Sequence, residues 1–170
     1  YDTVITDTFL WIQHLNDTTI CYGSSVSLNA QAFEAIGKLK YKWSNGDTLP
    51  SIFVKPTTCG WYKVSVYDSL NCPVTDSAFI KVNPLPRVSV DNDTSICIKE
   101  AITIKVSGAL KYKWNTGETT NNITKSPDIS TWYKVVGTDK NKCVAADSVF
   151  ITVNQLPLVY AGNDTTICAF

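Results

Sequence analysis

Methionine is absent from the 170 residues, and histidine occurs once, as His14. With a single imidazole, no Ser-His-Asp or Cys-His set can recur along the chain, so neither of the commonest nucleophilic constellations is shared by its repeated parts. His14 is expected to pack near a linker. Net charge is zero, with 15 Lys and Arg against 15 Asp and Glu. That balance gives no basic face for nucleic acid and no polybasic patch for an anionic membrane. No run approaches the roughly 20 apolar residues that cross a bilayer, and no leader pattern of charge followed by an apolar core opens the sequence. A start at Tyr1 together with the missing methionine leads us to expect an internal fragment of a longer chain. No window carries a helical hydrophobic period.

What is present is a repeat. Leu39-Lys40-Tyr41-Lys42-Trp43 returns as Leu110-Lys111-Tyr112-Lys113-Trp114, a shift of 71 (110 − 39). Trp61-Tyr62-Lys63-Val64, Cys72, Asp76-Ser77 and Leu85-Pro86 return at the same shift as Trp132-Tyr133-Lys134-Val135, Cys143, Asp147-Ser148 and Leu156-Pro157. Asn16-Asp17-Thr18-Thr19-Ile20-Cys21 matches Asn92-Asp93-Thr94-Ser95-Ile96-Cys97 at 76 (97 − 21), which places five extra residues (76 − 71) in a loop between Ala30 and Lys38. The motif opens again at Asn163–Cys168. Such a period signals an array of similar bodies. The expected organisation is residues 1–14 as the last strand of a preceding module, with Thr6-Asp7-Thr8 echoing Thr75-Asp76-Ser77, then modules at 15–86 and 87–157, and the start of a third at 158–170.

Within a unit, apolar residues alternate with period two, the pattern of a half-buried strand. Leu39, Tyr41 and Trp43 face one way and Lys40 and Lys42 the other; Tyr62, Val64 and Val66 alternate with Trp61, Lys63 and Ser65. Val26, Leu28 and Ala30, and Ala78, Ile80 and Val82, behave alike. Gly23, Asn45-Gly46-Asp47, Pro56, Asn71 and Pro73 break the runs. Several short one-sided strands must bury their faces against a second sheet. The predicted fold is therefore all-β: immunoglobulin-like sandwich modules arranged end to end, with Trp43 and Trp114 in the cores. The links Asn83-Pro84-Leu85-Pro86 and Asn154-Gln155-Leu156-Pro157 are short and stiffened by proline.

Six cysteines in a chain of this kind belong to an oxidising compartment. Zinc is excluded by spacing, because no two cysteines lie two to four residues apart. The simplest pairing is within modules, Cys21–Cys72 and Cys97–Cys143, each closing a loop of about 50 residues for roughly 2–4 kcal/mol. In an orthodox immunoglobulin topology the two positions lie at opposite ends of a module, which leaves a bridge to a neighbour, for example Cys21–Cys143, as the alternative. Cys168 lacks a partner under either scheme. Cys59, matched by Ser130, is a free thiol or makes a contact that does not repeat.

The runs Asn16–Cys21, Tyr41–Thr48, Trp61–Asp68 and Asn71–Ser77 resemble the PKD-like or immunoglobulin-like repeats of Bacteroidetes surface proteins exported by the type IX secretion system, of the gliding-motility adhesin type. The likeness covers essentially the whole chain. It implies export across the outer membrane, display on the bacterial cell surface, and a role in adhesion. It also implies O-glycosylation at Asp-Ser or Asp-Thr, here Thr3, Thr18, Thr48, Ser69, Ser77, Ser148 and Thr165. The plainer reading is that these pairs build turns through side-chain to backbone bonds.

Two further chemistries are open to the repeated residues. Asp91 and Asp93, with Asp17 and Asp164 in the sister copies, are candidate calcium ligands, although each motif brings only one or two carboxylates toward a set of six to eight oxygens; turn capping is the plainer reading, and no cofactor other than calcium is in view. By strand parity Trp61 and Trp132 face away from the core, where they would stack on sugar rings or cover a neighbouring strand. The expected function is a non-catalytic stalk or spacer of an adhesin or filament, in gliding or attachment. The alternatives are a carbohydrate-binding array and the accessory repeats of a secreted enzyme. Expected partners are neighbouring repeats of the same chain, surface polysaccharide, and secretion or motility machinery, with no nucleic acid and no membrane insertion. Lys- and Thr-rich edges discourage lateral pairing.

Overall fold

The structure is a computed structural model that describes residues 9–71, 73–160, 162 and 164. Two compact units divide the chain, Tyr1–Leu85 and Pro86–Phe170. Among the described residues every element is a strand, as the period-two pattern predicts.

Unit 1 contains β1 (Trp11–Ile12), β2 (Thr18–Cys21), β3 (Val26–Asn29), β4 (Ala32–Phe33), β5 (Lys40–Trp43), β6 (Ser51–Val54), β7 (Gly60–Tyr67) and β8 (Pro73–Asn83). One sheet runs β2-β8-β7-β5, with β2 parallel to β8. β3 pairs with β6, and β1 with β4. Unit 2 contains β9 (Ser89–Val90), β10 (Thr94–Cys97), β11 (Ile102–Ser107), β12 (Lys111–Trp114), β13 (Asn122–Lys125), β14 (Thr131–Thr138) and β15 (Val144–Asn154). Its sheets run β10-β15-β14-β12, again with the first pair parallel, and β13-β11-β9.

The alternation places the core as expected. Leu28, Ala30, Val64, Val66, Ala78 and Ile80 bury their side chains around Trp43, and Ile104, Val106, Val135, Val149 and Ile151 around Trp114. Each indole is also satisfied: Trp43 Nε1 donates to the Leu49 carbonyl at 2.8 Å and Trp114 Nε1 to the Thr120 carbonyl at 3.0 Å. An indole N–H left unpaired in such a core would cost about 1–3 kcal/mol. The turn after each tryptophan closes through Gly46 and Gly117, whose φ of 95° and 101° glycine adopts without strain. Their amides donate to the Trp43 and Trp114 carbonyls at 3.0 Å.

In both units the first strand changes sheet. In unit 2, β9 pairs with β11 in one sheet, and a few residues later β10 runs parallel to β15 in the other. Amides at the crossing lose their ladder partners, and two carboxylates take them up. Asp147, on β15, accepts the Val90 amide at 2.9 Å; Asp93, just past the crossing, accepts the Phe150 amide of β15 at 2.7 Å. Unit 1 repeats the arrangement with Asp76 on the Leu15 amide at 2.6 Å and Asp17 on the Phe79 amide at 2.8 Å. A crossed first strand, packed sheets and a core tryptophan ending β5 or β12 make each unit an immunoglobulin-like sandwich.

The start of the first module needs correction. Residues 11–14 do not belong to a preceding module. β1 pairs with β4 of unit 1, Ile12 packs on its core, and Gln13 donates its amide to the Gln31 carbonyl at 2.8 Å. The cause is the five-residue insertion, which is not a plain loop: it carries the chain on into β4 before turning at Glu34, φ 58°. Residues 1–8 lie outside the described residues.

Module-specific features are few. In unit 2, Lys125 and Glu118 form an ion pair across the sheet edge, and the hydrogen bond from Lys125 is the chief reason the Glu118 carboxyl is held down to about 2. Gly137 is required by packing: a Cβ there would fall 2.4 Å from Val88 Cγ2 and 2.7 Å from Ala109 Cβ.

Two outcomes follow from this architecture. Trp114→Ala should cost unit 2 about 3–5 kcal/mol. Hydrogen exchange should then show protection lost across residues 86–157 and kept in unit 1; loss in both would contradict two separate cores. Because the folded Glu118 carboxyl titrates below its ordinary value of 4.5, the pair's stabilisation is present above that pH and fades as pH falls toward 2. Melting curves of Glu118→Gln should therefore differ from those of the parent protein at pH 6 and converge with them by pH 2. An equal difference at both would rule out the pair as its source.

Candidate functional site

The residues singled out by the sequence do not converge on one pocket; they fall into four places in each unit. The Asn-Asp-Thr and Asp-Ser motifs form the strand-crossing clamp just described. Besides the Leu15 and Val90 amides, Asp76 and Asp147 accept the amides of the next residues, Ser77 and Ser148, at 2.8 Å in each case. Ser77 and Ser148 are half-buried on β8 and β15. Of the other hydroxyls in that context, Thr18 lies in β2 and donates to the Asn16 carbonyl at 3.4 Å. Ser69 accepts the Lys38 amide at 3.2 Å, and Thr48 is exposed in the turn after Trp43. Thr3 and Thr165 lie outside the described residues.

Carboxylates at the crossing are likewise engaged with backbone. Asp91 accepts the Lys105 amide at 2.7 Å while its own amide donates to the Lys105 carbonyl at 3.1 Å. Among the described residues no group of three or more His, Cys, Asp or Glu is placed to hold a metal ion. A shallow polar groove follows the crossing, lined by Asp91, Lys105 and Asn121 in unit 2 and by His14, Asn16 and Asn29 in unit 1. His14 thus belongs to unit 1, where its ring nitrogen Nδ1 meets the Asp76 carboxylate at 3.1 Å with the side chain largely in solvent. Among the described residues neither a hydroxyl nor a thiol hydrogen-bonds to it.

Trp61 and Trp132 face outward, 63% and 48% exposed. Each lies across the strand pair from a phenylalanine: Trp61 from Phe79, with centroids 5.2 Å apart, and Trp132 from Phe150 at 5.0 Å, both tilted. Such pairs add about 0.5–1.5 kcal/mol beyond burial, so covering a neighbouring strand is one use of both rings. Unit 1 carries a third pair, Trp11 stacked on Phe33 at 4.4 Å, which parity on residues 39–82 had no means of finding.

The cysteines depart furthest from expectation. Cys97 is an exposed free thiol, so the Cys97–Cys143 pairing is wrong. Cys97 ends β10 opposite Asn154, the last residue of β15, whereas Cys143 sits just before the first. A strand of 11 residues holds them roughly 35 Å apart, several times the reach of a disulfide. Cys143 is completely buried in the β14–β15 turn, its amide donating to Asp139 Oδ1 at 2.8 Å, and it is disulfide-bonded. Cys21, at the end of β2, is disulfide-bonded too. Cys72 and Cys168 lie outside the described residues. Cys59 is an exposed free thiol whose sulfur accepts the Val82 amide at 3.3 Å, the bond that Ser130 Oγ makes with the Val153 amide at 3.0 Å. The Cys59/Ser130 correspondence was the signal for that shared role.

No family model matches the chain, and a comparison with curated proteins gives no match. Among solved structures it is similar to the insect immune protein hemolin, at 16% identity and a TM-score of 0.47 over 90% of this chain and 49% of that one. It is similar also to the I67–I69 fragment of the titin I-band, at 13% identity and a TM-score of 0.43 over 86% and 66%. The third is DIP-gamma IG1+IG2, at 12% identity and a TM-score of 0.39 over 85% and 97%. The strand order and core of each unit make the chain an all-β, immunoglobulin-like one.

Proposed function

We propose that this chain is a segment of an extracellular repeat array that serves as a non-catalytic stalk or spacer of a bacterial surface adhesin or filament. The observation that carries the reading is where the repeated residues go. Trp43 and Trp114, Asp17 and Asp93, and Asp76 and Asp147 are spent in both units on the same backbone bonds. A sequence kept alike for such purposes reproduces a body, and reproducing a body is what a spacer requires. The bonded state of Cys21 and Cys143 fits an oxidising, extracellular setting. Type IX export, gliding motility and O-glycosylation belong to this proposal through the family resemblance alone.

A second reading, an array of carbohydrate-binding modules, is favoured by the exposed indoles of Trp61 and Trp132 at matching positions. The two readings part on one experiment. Immobilised polysaccharides, neutral and acidic, are challenged with the 170-residue chain and with Trp61→Ala/Trp132→Ala. A spacer passes unretained in both forms. Retention at micromolar concentration that disappears in the double variant replaces the spacer with the binding array.

A further inference from the structure

The zero net charge of the chain conceals an uneven distribution within each unit. Lys40 and Lys42 of β5 and Lys63 of β7 stand exposed on the outward face of the four-stranded sheet of unit 1. Unit 2 repeats them as Lys111 and Lys113 of β12 and Lys134 of β14. Lys42 is opposite Ser65 and Lys113 opposite Val136, which makes Lys63 and Lys134 their diagonal neighbours, about 7–8 Å away. Lys40 and Lys111 lie two residues back along the strand, about 7 Å. Each lysine is thus within a screening length of the next, about 10 Å at 0.1 M salt.

No carboxylate neutralises them. The strands of each four-stranded sheet hold one acid, Asp76 or Asp147. Each stands opposite a buried valine, Val64 or Val135, on the face turned toward the core, and is spent on the crossing. Asp17 and Asp93 lie at the other edge of the sheet, on the Phe79 and Phe150 amides. Among the described residues the only ion pairs are His14 with Asp76 and Lys125 with Glu118. Protection of a sheet edge accounts for the lysines of β5 and β12, since charge there blocks pairing with another chain. It does not account for Lys63 and Lys134, which lie on inner strands. In unit 1 a groove beside Lys63 is lined by side-chain donors, Lys42, Ser44, Ser65 and Tyr67. Two residues before each inner lysine, on the same face, stands an exposed indole, Trp61 or Trp132.

We propose that the outward sheet face of each module associates with acidic polysaccharide, whose sugar units carry carboxylate or sulfate groups. The anionic groups meet the lysines, and the apolar face of a neighbouring sugar ring meets the indole. Unpaired ammoniums on one face with no carboxylate among them are complementary to a polyanion and to little else. Lysine is a compact point charge that serves a hydrated sugar acid; the planar fork of arginine, which grips phosphate in two places, is absent from both sheets. Exposed ion pairs are individually weak, so the association lies in the millimolar range, below the micromolar retention that marks a binding array. The inference therefore goes beyond the spacer reading. Where it touches the carbohydrate-binding reading it rests on the same face and adds the charge that selects the sugar.

The test titrates the isotope-labelled 170-residue chain by NMR with three probes: an oligogalacturonate, a neutral glucan oligomer of the same length, and a single-stranded oligonucleotide. The uronate alone should shift the amides of Lys40, Lys42 and Lys63 and of Lys111, Lys113 and Lys134, together with the Trp61 and Trp132 indoles. These shifts should vanish in about 1 M salt, where the screening length is about 3 Å. Replacing Lys42, Lys63, Lys113 and Lys134 by glutamine should weaken the affinity roughly fivefold and leave the rest of the spectrum that of the folded parent. Arginine at the same four positions should restore it. Shifts caused by glucan and uronate alike would leave a carbohydrate-binding face but overturn this charge-selective one. An oligonucleotide that shifts the same residues as strongly, no shift with any probe, or an affinity unchanged in the glutamine variant also overturns it.

Discussion

Everything in either unit depends on how one strand, β8 or β15, serves two neighbours of opposite direction. On one side it runs antiparallel to β7 or β14 over eight residue pairs, and on the other it accepts β2 or β10 in parallel over four. A parallel neighbour that arrives from the other sheet leaves amides unpaired where it crosses, and buried unpaired amides are costly. The crossing is stable because carboxylates sit on both sides of it, each accepting an amide from the other segment. Charge-assisted bonds of this kind are roughly twice as strong as neutral ones. Acids at positions 17, 76, 93 and 147 are thus structural elements of the sandwich.

That constraint settles the polarity of the module as well. Since β2 and β10 are parallel to the strand beside them, their last residues lie at that strand's end, where the chain departs. A cysteine placed there is remote from one placed at the strand's beginning, so a pair that looks local in sequence is distant in space. Loop length is then a poor guide to pairing. A 46-residue separation (143 − 97) looks easy to close by entropy alone, but the rigid ladder between the two ends forbids it.

The legible part of the fold was the part governed by parity and turns. Val64 and Val66 buried with Trp61 out, Trp43 and Trp114 inside, and glycine at the left-handed position of the turn all follow from period-two burial and steric limits on φ. These are local rules. What was illegible was non-local. β1 is two residues long, and its place depends on β4, which exists only because an insertion prolongs the path beyond Ala30. Nothing in Trp11-Ile12 itself says which body will take it. The disulfide state was only partly legible: intramodule pairing looked simplest, and the opposite-ends alternative turns on strand direction rather than on composition. The motif acids were visible, and their role as turn caps was half right: they cap amides 57 to 62 residues away as well as adjacent ones.

The residues that differ between the copies complete the logic. Trp11 and Phe33 stack in unit 1 where unit 2 has no such pair, Glu118 and Lys125 pair in unit 2, and Cys59 stands in for Ser130 with its hydrogen bond retained. None of these makes the bonds of the crossing, which are the same in both units, and Glu118 meets the Trp114 amide through its backbone carbonyl just as Asp47 meets that of Trp43. An array can drift at such positions because each unit closes its own core, so a change costs only the unit that bears it. It cannot drift at the crossing, where losing Asp76 or Asp147 orphans two amides at once, one on each side of it. The repeated motif therefore marks the sites where a single substitution would break the fold of a module. That is why so much of what recurs in the sequence is aspartate beside threonine or serine, and why the surface between those sites is free to vary.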